Sequence, residues 1–127
     1  MLEKLIVKPV NRLSSEEIID ICTLKEQHWP LGIKKQLGHW FMLTNKEDKL
    51  IFIERRNKKI AFLRLKLRKI IINNSISKSY MVSELCVDKK FQRKGVGGKI
   101  LNKSKEIIFM EKAPGYLFSN NKFVFLA

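Results

Sequence analysis

The run Leu5-Ile6-Val7-Lys8-Pro9-Val10 is apolar and β-branched, and predicts a first strand. Ser14, followed three residues later by Glu17, makes a capping box: Ser14 accepts the Glu17 N–H while the Glu17 side chain reaches back. A helix should therefore start there and run to about Gln27. Pro30 stops it, and Ile33, Leu37, Trp40 and Phe41 recur at helical spacing, so a second short helix should lay that face on a sheet. Leu50–Glu54 reads as a short apolar strand and Arg56-Asn57-Lys58 as a turn. Beyond it, Ala61, Leu63, Leu65 and Leu67 alternate with Phe62, Arg64, Lys66 and Arg68, the pattern of a strand with one wet face. Asn73-Asn74-Ser75 is a further turn signal, so strands two to four, the last at Tyr80–Val87, should form an antiparallel meander. A helical pattern covers Val96 to Met110, and Pro114-Gly115 leads into a fifth strand, Tyr116–Ser119. The order β-α-α-β-β-β-α-β, without repeats or linkers, predicts an α/β (α+β) fold: a mixed, mostly antiparallel central sheet flanked by helices. Residues 1–127 should form one domain, since that length is near the common domain size.

Between the fourth strand and the third helix lies Phe91-Gln92-Arg93-Lys94-Gly95-Val96-Gly97-Gly98-Lys99. Three glycines let a backbone curl tightly and be approached closely, with several N–H groups and a helix N-terminus aimed at one point. Such a point attracts an anion. The spacing is not that of the nucleoside triphosphatase phosphate loop, and Gly95-x-Gly97-Gly98 lacks the third glycine of the dinucleotide fingerprint.

With Leu85-x-Val87 closing a strand before it and Ile100 and Leu101 on an amphipathic helix after it, Gln92-x-x-Gly95-x-Gly97 resembles the loop of the GNAT family of N-acetyltransferases. The resemblance implies that acetyl-coenzyme A is the acetyl donor and that its pyrophosphate lies against the N–H groups of Arg93, Lys94, Gly95, Gly97 and Gly98, with Gln92 opening the motif. It extends cofactor binding to Val96 and Asn120. The family splays strands four and five, and the pantetheine arm pairs with the exposed edge, here Leu85, Cys86 and Val87. The Val87 N–H is then the oxyanion donor, and Glu84, the carboxylate inside strand four, is the candidate general base. The first two helices and their connection line the acceptor site in the family, which points to His28 and Trp29 for a small-molecule amine or a protein amine. No tyrosine stands where family members carry a general acid. The likeness covers nearly all of this chain but about three quarters of the family fold, since the chain ends before the family's last helix and strands. The fifth strand is therefore expected to leave an unpaired edge, to be covered or to pair in a homodimer.

Composition adds less. A net charge of +14 attracts polyanions. The lysines are scattered through almost every segment and accompany no nucleic-acid-binding signature, so a basic nucleic-acid-binding domain is the weaker alternative. A catalytically inactive acyl-coenzyme A-binding module is the other, motivated by the short C-terminus and the missing tyrosine. Cys22 and Cys86 make no disulfide framework, and with no signal peptide or long apolar span the expectation is a cytoplasmic protein without a membrane partner. Cys22, His28, His39 and Cys86 fit no zinc-ligand spacing, so no metal is expected.

Overall fold

The computed structural model describes residues 3–110, 115–119 and 122–125. In chain order these form β1 (Glu3–Pro9), a 3-10 turn (Val10–Arg12), α1 (Ser15–His28), α2 (Ile33–Leu43), β2 (Lys49–Arg55), β3 (Lys58–Ile72) and β4 (Ser75–Val87). A second 3-10 turn (Lys89–Phe91), α3 (Val96–Met110), β5 (Gly115–Ser119) and β6 (Lys122–Phe125) follow. The strands make one sheet in sequential order, antiparallel throughout except for the parallel β4–β5 pair.

Local chemistry accounts for the boundaries. Ser14 Oγ accepts from the Glu17 N–H at 3.1 Å and Glu17 Oε1 accepts from the Ser14 N–H at 2.9 Å, closing the capping box that starts α1. Both tight hairpins use two consecutive left-handed residues, Arg56 and Asn57 (φ 54° and 62°) and Asn73 and Asn74 (φ 50° and 64°). That is the turn whose twist matches paired strands, and asparagine tolerates it best.

Helices cover both faces of the sheet. On one, Val96, Ile100 and Ile108 of α3 pack on Ile51, Ile53, Leu63 and Leu65. On the other, Ile21, Cys22 and Leu24 of α1 and Trp40 of α2 pack on Leu50, Phe52, Phe62 and Cys86. This corrects the expectation of a wet face on β3: Phe62 is fully buried and Arg64 is 3% exposed, because α1 and α2 lie over the face that alternation alone assigns to water.

A second correction concerns β5. Its outer edge is not open: Tyr116, Leu117, Phe118 and Ser119 pair with Phe125, Val124, Phe123 and Lys122 of β6. The unpaired edge was the reason for expecting a homodimer, and that reason falls away. No described helix is long and apolar enough to cross a membrane.

One irregularity positions the site. Along β3 and β4, Arg64 faces Glu84 but Leu65 faces Val82, so Ser83 is an extra residue in β4. Such a bulge bends its strand and increases the twist. On the other side of β4, pairing with β5 stops at Val82↔Leu117. From Ser83 to Val87, no strand among the described residues pairs with that side of β4.

Candidate functional site

The direction of the free edge follows from hydrogen-bond alternation. The Asp88 N–H donates to the Ile60 carbonyl at 2.7 Å, so in an antiparallel pair the next residue back, Val87, points its own N–H and C=O away from β3. Leu85, two residues earlier on the same strand, does the same. Leu85 and Val87 thus present their backbone groups to the open edge. Cys86, opposite Phe62, presents its backbone groups to β3 and its side chain to the core under α1 and α2.

Next to that edge sits the glycine loop. Asp88 caps the 3-10 turn by accepting from the Lys90 N–H at 3.0 Å, which fixes the chain's exit from β4. Burial opposes ionisation of Asp88, but the Lys90 N–H, Gln27 and Lys58 outweigh it and hold its carboxyl below the ordinary value. Arg93 (φ 61°) and Gly95 (φ 79°) then take left-handed conformations on either side of Lys94, a way of turning N–H groups inward around an anion. The first hydrogen bond of α3 runs from the Lys99 N–H to the Gly95 carbonyl at 3.1 Å, so the N–H groups of Val96, Gly97 and Gly98 precede the helical ladder.

Gly95, Gly97 and Gly98 with Leu85, Val87 and Gln92 border a cavity of about 400 Å³. A Cβ on Gly98 meets nothing within 4 Å, and one on Gly97 meets only Val87 Cγ2 at 3.8 Å, so side chains here project into the cavity rather than into packed protein. Backbone donors, a helix N-terminus and the exposed side chains of Arg93 and Lys94 make a donor set suited to a diphosphate.

His28 closes this cavity. Its Nε2 donates to the Val87 carbonyl at 2.9 Å, since a carbonyl can only accept, so in the neutral imidazole Nδ1 is the nitrogen with the lone pair. Gln92 Nε2 reaches the same carbonyl more weakly, at 3.4 Å. Trp29, whose ring lies 5.9 Å from that of His28, faces a second cavity of about 340 Å³, bordered also by Lys25, Arg64, Lys66 and Glu84. Glu84, which borders this second cavity, is followed by Leu85, which borders the first, and Trp29 is preceded by His28 in the same way. His28 and Trp29, grouped together from sequence, belong to different cavities.

Glu84 is held on both oxygens. Lys25 Nζ lies 2.8 Å from Oε2, and Arg64 Nη2 lies against Oε1 as an ion pair without a directed hydrogen bond. Arg64 also donates to Ser83 Oγ at 3.0 Å and Thr44 Oγ1 at 2.5 Å, and its guanidinium lies 5.3 Å from the Trp40 ring. Cys86 is pushed up to about 12, first by burial and then by Glu84, so it stays a thiol. Among the described residues no cluster of metal-ligating side chains occurs. Asn120 lies outside the described residues.

Lys25, Arg64 and Lys66 border the Trp29 cavity and were not singled out as site residues from sequence. The signal for Arg64 and Lys66 was present: two cations alternating with leucines, on the strand that pairs with β4.

Comparison with known proteins agrees with the fold. No protein-family model matches the chain, and no curated protein sequence does. Solved structures do. A conserved protein of unknown function from Enterococcus faecalis, described as a probable N-acyltransferase, superposes with a TM-score of 0.75 at 8% identity over 94% of this chain and 30% of that one. An aminoglycoside 6'-N-acetyltransferase complexed with coenzyme A gives 0.68 at 13% identity over 88% and 60%. A GNAT family acetyltransferase from Staphylococcus aureus gives 0.69 at 17% identity over 94% and 91%. The chain therefore has the GNAT acetyltransferase fold, and spans less than two thirds of the length of the first two of these proteins.

Proposed function

We propose that the chain is an acetyl-coenzyme A-dependent N-acetyltransferase of the GNAT family, acting on a primary amine of a small molecule. The observation that carries this reading is the junction of an anion-binding glycine loop with a free strand edge whose backbone groups face the same cavity. A neighbouring fold crystallised with coenzyme A supports the choice of carrier.

When bound, acetyl-coenzyme A supplies the acetyl thioester. The chain's own residues do the rest. The loop from Gln92 to Gly98 holds the diphosphate through backbone N–H groups. The Leu85 and Val87 edge takes the pantetheine arm as an added strand, and the Val87 N–H faces the side where the thioester oxygen gains charge. The amine enters through the Trp29 cavity. Its proton would go to Nδ1 of His28, the residue preceding Trp29, whose Nε2 is engaged by the Val87 carbonyl. Glu84, the base expected from sequence, serves in this reading as a positioning residue that holds Lys25 and Arg64. Thiolate protonation is left to solvent.

The test is calorimetric titration with coenzyme A, followed by thiol release from acetyl-coenzyme A with a panel of amines. Absence of cofactor binding overturns the reading. Binding without turnover on any amine establishes the inactive acyl-coenzyme A module instead. His28→Gln should lower kcat for thiol release by about 100-fold or more, the usual size of a lost general base.

A further inference from the structure

The Trp29 cavity has an unbalanced charge. Its lining carries three cations, Lys25, Arg64 and Lys66, against one carboxylate, Glu84. Glu84 is shared between Lys25 and Arg64. Lys66 is half-buried and makes no hydrogen bond or ion pair among the described residues. Burial, then Arg64 and Arg68, lowers the Lys66 pKa, while Asp48 and Glu84 only partly offset this. A lysine desolvated beside two arginines, at the wall of an open cavity, is a binding position for an anion.

We propose that the acceptor is an amine that also bears an anionic group, a carboxylate or a phosphate, with the anion on Lys66 and the amine toward Trp29 and Glu84 in the same cavity. The inference rests on the acyl-transfer reading. It separates this chain from aminoglycoside-modifying neighbours, because an acceptor with several ammonium groups meets a cavity of its own sign. The same excess of positive charge favours the neutral, nucleophilic form of the bound amine.

Matched pairs test it by calorimetric titration of the whole chain: 4-aminobutyrate against butylamine, and phosphoethanolamine against ethanolamine. Each anion-bearing member should bind at least about tenfold more tightly than its partner, and the ratio should shrink as salt rises. Lys66→Gln should collapse the ratio toward one, and Lys66→Arg should restore most of it. Circular dichroism and thermal melts check that both variants fold. Equal or reversed affinities, no binding by either member, or a ratio unchanged in Lys66→Gln overturns the proposal. Coenzyme A is titrated into the same samples. Cofactor binding without anion preference refutes only the acceptor class, whereas anion preference without cofactor binding refutes only acyl transfer.

Discussion

Replacing Gly97 separates the fold from the cradle. An ideal Cβ there lies 3.8 Å from Val87 Cγ2, an ordinary contact, and Gly97 is not among the left-handed glycines, so the protein has room for a methyl group. At the second residue of α3, Gly97→Ala restricts the unfolded chain and should stabilise the domain by about 0.5 kcal/mol. In a domain of this size that raises Tm by about 2 °C. The same methyl adds bulk at the border of the cavity proposed to hold the diphosphate. Displacing one or two charge-assisted hydrogen bonds, at about 1.5 kcal/mol each, weakens coenzyme A by about 10- to 100-fold. Gly97→Glu sharpens the contrast. A carboxylate in the first turn favours the helix by about 0.3–1 kcal/mol, yet places negative charge where the diphosphate belongs. Thermal melts without ligand, paired with calorimetric titration, should show stability rising while affinity falls, with no measurable binding in Gly97→Glu. Wild-type affinity in Gly97→Ala would place the diphosphate elsewhere, and an unfolded Gly97→Glu would refute the spacing between α3 and β4.

Glu84→Gln strands Lys25 and Arg64, which are 7% and 3% exposed, without an anion, and should lower unfolding stability by about 3 kcal/mol in a urea titration. A loss below about 1 kcal/mol contradicts the buried triad. At pH 8 a thiol at about 12 is about one part in ten thousand thiolate, so Cys86 should resist Ellman's reagent in the native protein, and Cys86→Ser should keep thiol-release activity. Rapid native labelling of Cys86 rejects its burial. Glu3, Glu17 and Asp88 all have carboxyl pKa values lowered by folding. Their stabilisation is present above the unfolded values of 4.5, 4.5 and 3.8 and is lost as pH falls through the lower folded ones, so guanidinium midpoints should decline below about pH 4.5. For Asp88→Asn, the stability deficit should shrink toward zero in acid; a deficit independent of pH contradicts the capping role.

What the sequence made legible was local. The capping box, both asparagine turns, α3 from Val96 to Met110 and the glycine loop all declare themselves within a few residues, and each is found where its chemistry predicts. What it hid depends on contacts distant in sequence. The alternation of β3 marks Arg64 and Phe62 as one face but cannot say that α1 and α2 cover it. The bulge at Ser83 arises from pairing with Arg64 and Leu65, nineteen and eighteen positions upstream, so no pattern within β4 marks it. The Lys25–Glu84 contact joins a helix to a strand, and only folding shows that the expected base is already engaged. β6 was missed because Phe123-Val124-Phe125 is too short a run to announce a strand without its partner.

The extra residue at Ser83 has a consequence for how this fold survives divergence. With one residue added to β4, the backbone groups of Leu85 and Val87 face away from β3, and the site proposed for the cofactor relies on them and on backbone N–H groups of the loop that follows. A peptide N–H is the same in almost every residue type. Substitution can therefore rewrite most side chains around the edge without erasing what the edge offers. Shape connects this chain to proteins at 8–17% identity where sequence comparison finds none, as such a site would allow. Selection on such a site acts on residue number and glycine placement more than on side-chain identity, so a one-residue deletion in β4 should harm it more than most substitutions.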